Sequence, residues 1–212
     1  LLNNENIQLI ISDVMMPVMD GMTLTRNIKS NLQTSHIPII LLTARASFIY
    51  KMEGFETGAD DYITKPFNEQ LLRSRIKNIL KNRQLLQDKF RTEEIPLISE
   101  LLLNNTDQQF LEKITTIIKE NIGSEKLNTT FLCTELGMSH SVVYKKLKSL
   151  TSLTIQEYIT DFKLKTAKKL ITTQNLSVSD VCYMVGYSDR KYFSKQFKQR
   201  FGKNPSEYLV KK

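Results

Sequence analysis

The apolar positions of this chain keep one period near its start and another afterwards. Ile7-Gln8-Leu9-Ile10-Ile11, Ile37-Pro38-Ile39-Ile40-Leu41-Leu42 and Tyr62-Ile63-Thr64 are short β-branched or apolar runs, each followed by polar or turn residues. Such runs predict strands. The stretches Asp20 to Asn31 and Ala46 to Thr57 have helix length, and another follows from Asn68. Strands alternating with helices predict parallel βαβ units. After Thr64 the strand pattern stops. Leu71, Leu72, Ile76, Ile79, Leu80, Leu85, Leu86 and Phe90 recur at helical spacing, which predicts a helix running on into a linker. Arg91 to Thr106, with Pro96 and Asn104-Asn105, marks the domain boundary, and the remainder reads as helix. The expected organisation is an α/β domain over residues 1–83, a linker over 84–106 and an all-α domain over 107–212.

The helical part repeats itself. Cys133-Thr134-Glu135-Leu136-Gly137-Met138-Ser139 and Cys182-Tyr183-Met184-Val185-Gly186-Tyr187-Ser188 place cysteine, glycine and serine alike at an offset of 49 residues. After the turn the offset becomes 50, so that Val143 corresponds to Phe193, Leu147 to Phe197 and Glu157-Tyr158 to Glu207-Tyr208. Each copy reads as a short helix, a Gly-apolar-Ser turn and a second helix. Glycine takes a left-handed turn conformation, serine caps the helix that follows, and a small cysteine lets the two helices approach. This is the pattern of a helix-turn-helix. A duplicated helical solenoid without DNA binding has a similar period, and charge decides against it.

The net charge is +8, and all of the excess lies in one segment. Residues 1–80 are neutral, 81–126 carry −1 and 127–212 carry +9. Residues 190–203 hold Arg190, Lys191, Lys195, Lys198, Arg200 and Lys203 with no acid, while Phe193, Phe197 and Phe201 share the opposite, apolar face. An apolar fraction of 41% is that of a globular chain. No apolar run reaches membrane-spanning length and no signal-peptide pattern opens the chain, so a soluble protein is expected. Two cysteines without a metal-ligand cluster point to a reducing, cytoplasmic setting; a hybrid sensor-kinase parent would leave room for a membrane anchor elsewhere.

The helical part resembles the DNA-binding domain of AraC-type transcription regulators over about a hundred residues. The resemblance rests on Leu164-x-x-Ala167-x-x-Leu170, Val185-Gly186-Tyr187-Ser188-Asp189, Tyr192-Phe193-Ser194 and Phe201-Gly202-x-x-Pro205-x-x-Tyr208. It implies that the second helix of each unit enters the major groove of double-stranded DNA. His140, Ser141, Tyr144 and Lys145 would then face bases or phosphates from the first unit, and Arg190, Lys191, Ser194 and Lys195 from the second. His140 reads equally as a solvated residue, whereas Arg190 has the fork that reads guanine. Thr151-Ser152 stands where a glycine often ends the first recognition helix.

In the α/β part, Asp13, Thr43 and Lys65 follow the three predicted strands, at the strand ends where open α/β sheets bind ligands. A carboxylate can attack a phosphoryl group whose oxygens a hydroxyl, an ammonium and Mg²⁺ hold. Asp13-Val14-Met15-Met16-Pro17-x-Met19-Asp20-Gly21, Leu42-Thr43-Ala44 and Gly58-Ala59-Asp60-Asp61-Tyr62-x-x-Lys65-Pro66-Phe67 resemble response-regulator receiver domains. The resemblance implies a flavodoxin-like parallel sheet, Asp13 as phosphoacceptor, Asp13 and the Met15 carbonyl as Mg²⁺ ligands, and Thr43 and Lys65 as phosphate contacts. It makes Tyr62 the switch aromatic and Lys65-Pro66 a cis peptide. The acidic pair that holds Mg²⁺ in receivers is not found before Asp13, so a truncated receiver and a longer parent protein are expected. That parent would be a response regulator or the C-terminal end of a hybrid sensor kinase, with an upstream histidine kinase or other phosphodonor as partner and a homodimer as the activated state. An aspartyl-phosphate hydrolase places a second Asp two residues after its nucleophile, and Met15 stands there. A dimerisation module without phosphorylation is the remaining alternative.

Overall fold

Ile10–Asp13 (β1), Ile39–Thr43 (β2) and Asp61–Thr64 (β3) form a parallel sheet in the order β1-β2-β3. The computed structural model describes residues 7–44, 58–92, 94–101, 103–174 and 176–209. Ile39, Ile40 and Leu41 are fully enclosed, the pattern of a parallel strand buried on both faces. Each such side chain contributes about 1.5–3 kcal/mol by leaving water. In register, Asp13 lies opposite Leu42 and Thr43 opposite Thr64, which brings the C-terminal ends of the strands to one edge.

Gly21–Ser30 (α1) packs Ile28 against Ile39, Leu41 and Ala59, with Ile10, Val14, Met22, Leu24 and Tyr62 around them. Asp20 caps this helix by accepting from the Thr23 backbone N–H and hydroxyl, both at 2.8 Å. Those bonds, the backbone one first, hold its carboxyl below the usual range. The helix expected over Ala46–Thr57 lies outside the described residues.

Glu69–Arg91 (α2) is one continuous helix, as the spacing of Leu71 to Phe90 predicts. Asn105–Glu120 (α3), Thr129–Leu136 (α4), His140–Thr151 (α5), Ile155–Thr173 (α6), Val178–Met184 (α7) and Arg190–Phe201 (α8) follow, with 3-10 turns at Ile98–Glu100 and Pro205–Tyr208. No strand occurs after Thr64 among the described residues.

Two compact units result, Leu1–Gln87 with Leu101–Gln109, and Asp88–Glu100 with Phe110–Lys212. The stretch expected as a linker over 84–106 is thus shared between them. In the first unit, buried Asp107 accepts from the Ser35 hydroxyl at 2.8 Å, and Arg83 donates to the His36 carbonyl at 2.8 Å. In the second, Phe90 and Ile98 are buried. The Phe90 ring lies 6.2 Å from that of Tyr158, whose hydroxyl burial pushes up to about 12. Neither Pro96 nor the two asparagines showed that residues on both sides of them would be enclosed.

The core of the second unit joins α6 to α7 and α8 through Leu164, Ala167, Ile171, Val181, Cys182 and Val185 with Phe193, Phe197 and Phe201. The three phenylalanines form a ladder with ring centroids 5.7 and 4.7 Å apart, confirming the apolar face read from their spacing. Leu132, Leu136, Val143, Leu147 and Leu150 are the buried aliphatic side chains of α4 and α5.

Candidate phosphoacceptor and nucleic-acid interface

Asp13 is the last residue of β1 and Lys65 follows β3, so parallel pairing through β2 draws them to the same edge of the sheet. There the Lys65 ammonium donates to Asp13 Oδ2. The Met15 backbone N–H donates to Oδ1 at 3.1 Å. The Lys65 hydrogen bond, then that of Met15, lowers the Asp13 pKa below the usual carboxylate value, which favours the ionised carboxylate. Thr43 ends β2, buried, with its carbonyl accepting from the Lys65 N–H at 2.7 Å. Tyr62 lies half-buried on β3 against the α1 side of the sheet. Lys65-Pro66 is cis, as expected from the motif.

Mg²⁺ requires about six oxygen ligands in octahedral array. Asp13 supplies one carboxylate, already bonded to Lys65 and Met15, and among the described residues no three His, Cys, Asp or Glu side chains gather into a metal-binding group. Asp20, the nearest acid in the motif, is spent on its helix cap. The described residues do not by themselves make a magnesium site.

The helical unit holds two helix-turn-helix arrangements. In the first, Gly137 ends α4 at φ 67° and the Ser139 hydroxyl accepts from the Val142 N–H at 3.4 Å to cap α5. In the second, Gly186 has φ 75°. The cap of α8 is Asp189 rather than Ser188, accepting from the Lys191 and Tyr192 N–H groups at 2.6 and 3.1 Å. The extra residue that moves the repeat offset from 49 to 50 therefore lies inside the turn. The first recognition helix ends at Thr151, with Ser152 left-handed at φ 65° where the second has Gly202 at φ 79°.

On α5, His140, Ser141, Tyr144 and Lys145 are exposed, and the His140 and Tyr144 rings stack with centroids 6.3 Å apart. On α8, Arg190, Lys191 and Lys195 are exposed and Ser194 is half-buried. Residues 132–211 match the family model described as "Helix-turn-helix domain", and residues 1–77 match "Response regulator receiver domain". The chain is a receiver domain followed by an AraC-type helix-turn-helix domain.

Three curated relatives are similar to this receiver and AraC-type domain pair in whole or part. Histidine kinase P4 of Formosa agariphila is 44% identical over 200 residues, which cover 94% of this chain and 15% of that protein. The transcriptional regulatory protein YclJ of Bacillus subtilis is 49% identical over 77 residues, 36% of this chain and 33% of that one. The Msm operon regulatory protein of Streptococcus mutans is 34% identical over 116 residues, 55% of this chain and 41% of that one. The chain thus spans less than half the length of each of these relatives.

Not every basic residue of the AraC-type domain faces outward. Lys146 is fully buried on α5 with its ammonium 5.0 Å from the centre of the Phe110 ring. Lys163 and Lys165 are buried on α6, where desolvation lowers both pKa values. Arg200, grouped by sequence with the basic face of α8, instead donates from Nε to Asp161 at 2.5 Å. Sequence reading missed these inward cations because charge totals carry no direction; the Asp161–Lys165 spacing of four was the visible signal. Cys133 and Cys182 are buried, and burial raises both thiols. That environment suits small core residues rather than nucleophiles. No described helix is long and apolar enough to cross a membrane.

Proposed function

We propose that this chain is the output end of a two-component phosphorelay, a cytoplasmic transcription regulator that binds specific DNA through α5 and α8 under the control of phosphorylation at Asp13. The observation that carries the reading is the pairing of two capped recognition helices, each with exposed polar or basic side chains at its N-terminal end, on the single connecting helix α6. Its 19 residues span about 28 Å, so with the width of the flanking units the recognition helices reach major-groove segments about 34 Å apart, one turn of DNA. His140, Ser141, Tyr144 and Lys145 contact one segment, and Arg190, Lys191, Ser194 and Lys195 the next. Arg190 is assigned base reading, since its two-donor fork matches guanine O6 and N7.

At Asp13 a carboxylate oxygen attacks the phosphorus of a phosphodonor such as phosphohistidine. The bond from phosphorus to the donor breaks with its electron pair, leaving an acyl phosphate on Asp13. Lys65 and Thr43 hold the phosphoryl oxygens, and Tyr62 reports the change to the surface. Magnesium enters this scheme only with ligands beyond the residues described here. The whole protein is proposed to be a hybrid kinase with receiver and output fused, supported by the similarity to histidine kinase P4 along 94% of this chain, and to act as a homodimer once phosphorylated.

Acetyl phosphate labelling followed by intact-mass measurement tests the site. The 212-residue chain should take up little phosphate, and a longer form that includes the N-terminally adjoining residues should be labelled at Asp13. Stoichiometric labelling of the short chain contradicts the ligand argument; labelling of an Asp13→Asn long form removes Asp13 from the chemistry. The bonding of both Asp13 carboxylate oxygens to Lys65 and the Met15 N–H favours a second reading, in which the receiver part only dimerises. A long form whose mass in sedimentation and whose DNA affinity ignore beryllofluoride supports that reading instead.

A further inference from the structure

The last four carbonyls of any α-helix have no partner within it. At the end of α2, three of these four are taken by side chains. The Lys89 carbonyl accepts from the Thr92 hydroxyl at 2.8 Å, that of Phe90 from Lys165 Nζ at 2.7 Å, and that of Arg91 from Arg200 Nη2 at 3.0 Å. The same Arg200 nitrogen also donates to the Thr92 carbonyl at 2.7 Å. Lys165 lies on α6 and Arg200 on α8, so two separate helices grip one helix end.

Asp161 organises the grip. Its Oδ2 ion-pairs with Lys165 at 2.7 Å and its Oδ1 with Arg200 Nε at 2.5 Å. The Lys165 side chain is only 3% exposed and that of Asp161 15%, an enclosure that disfavours charge unless it is matched. Two cations against one carboxylate leave a surplus positive charge, and what faces it is the negative pole at the C-terminus of α2. The cluster is therefore balanced only with that helix end in place. In the first helix-turn-helix the repeat position equivalent to Arg200 is Leu150, a buried core residue. There Arg91 donates to the hydroxyl of the half-buried Ser152, at 3.2 Å.

We infer that Asp161, Lys165 and Arg200 are positioning residues that fasten the C-terminal turn of α2 to the second recognition helix, so that the seating of α8 on DNA depends on the state of that turn. This rests on the DNA-binding reading proposed above. Arg190 and Arg200 are ten residues apart on α8, about 15 Å along its axis, so a shift at the gripped end is carried by a rigid helix to the reading end. Arg200 itself touches no DNA.

The test uses the 212-residue chain and two readouts, amide hydrogen exchange of residues 88–92 and the salt dependence of binding to a selected DNA sequence. For Arg200→Gln, exchange of those amides should accelerate about tenfold or more. Affinity for the selected DNA should fall about tenfold, with preference relaxed only in the box read by α8 and the slope of log K against log salt unchanged. Lys203→Gln, at an exposed position on the turn after α8, should lower that slope by about 1 and leave exchange alone. Arg200→Lys keeps the charge beside Asp161 without the second donor arm and should lie between wild type and Arg200→Gln, providing the comparison should Arg200→Gln not fold. A slope lowered by about 1 with unchanged exchange makes Arg200 a phosphate contact and overturns the inference. Faster exchange with unaltered DNA preference reduces the cluster to a structural clasp and overturns it as well. A wild-type chain with no preference among DNA sequences overturns the DNA-binding reading itself, a result distinct from either.

Discussion

Helix α5 starts on a Ser139 cap, buries Val143 and Leu147, and ends on a left-handed serine. Helix α8 starts on an Asp189 cap with two backbone donors, buries three stacked phenylalanines, and ends on a left-handed glycine. The first presents a stacked His140-Tyr144 pair at its N-terminal end and the second a guanidinium and an ammonium. A duplicated backbone plan has thus been given two chemistries. The aromatic pair suits flat, apolar features of the groove such as thymine methyls, and Arg190 suits guanine. The second copy is tied to the end of α2 through Arg200, whose equivalent in the first copy is the buried Leu150. Repeats preserve the turn and the core spacing, and leave reading and coupling free to diverge.

The comparison breaks most readily in the core. Phe197→Ala should cost about 3–5 kcal/mol, and more than Leu147→Ala at the equivalent position, because it also removes aromatic contacts to Phe193, Phe201 and Tyr208. Urea unfolding of both variants checks the order, and a costlier Leu147→Ala reverses the assignment of the better-packed unit.

The two turns come next. Both Gly137 and Gly186 are left-handed, but a Cβ at Gly137 meets nothing within 4 Å, whereas at Gly186 it would lie 2.6 Å from the Ile122 carbonyl oxygen. Gly137→Ala should cost about 1–2 kcal/mol of backbone strain. Gly186→Ala should cost clearly more. Equal shifts in thermal unfolding would mean that the second turn relaxes freely.

Smaller effects sharpen the contrast in reading. Arg190→Ala should lose about 1–3 kcal/mol on the selected sequence and relax preference in one box only; an equal loss on scrambled DNA makes it a phosphate contact. The caps differ least. Asp189→Ala and Ser139→Ala should each cost about 1 kcal/mol, with Asp189 the larger because it accepts two N–H groups. Amide exchange in the first turns of α8 and α5 reports them separately.

Much of this was legible in the sequence. The strand runs, the repeat, the phenylalanine stripe and the placement of Asp13 and Lys65 at one sheet edge follow from period and motif, because burial imposes them locally. The caps were read partly wrong, since Ser188 matches Ser139 in the motif while the inserted residue hands the cap to Asp189. Lys165 was signalled only by its spacing of four from Asp161, and Arg200 was hidden because Asp161 lies 39 residues away and its other acceptors are backbone carbonyls, which any sequence supplies. Residues 84–106 read as linker because their buried positions, Phe90, Ile98 and Leu101, are too sparse to form a period.

The central claim is that two recognition helices on one chain read two adjacent major-groove segments. Hydroxyl-radical footprinting of the 212-residue chain on DNA selected from a random pool tests it directly. Two short protected boxes per protomer, on one face of the duplex and about 34 Å apart, are the expected result, with one box lost in Arg190→Ala. A single box, or no enrichment of any sequence over the starting pool, would contradict it.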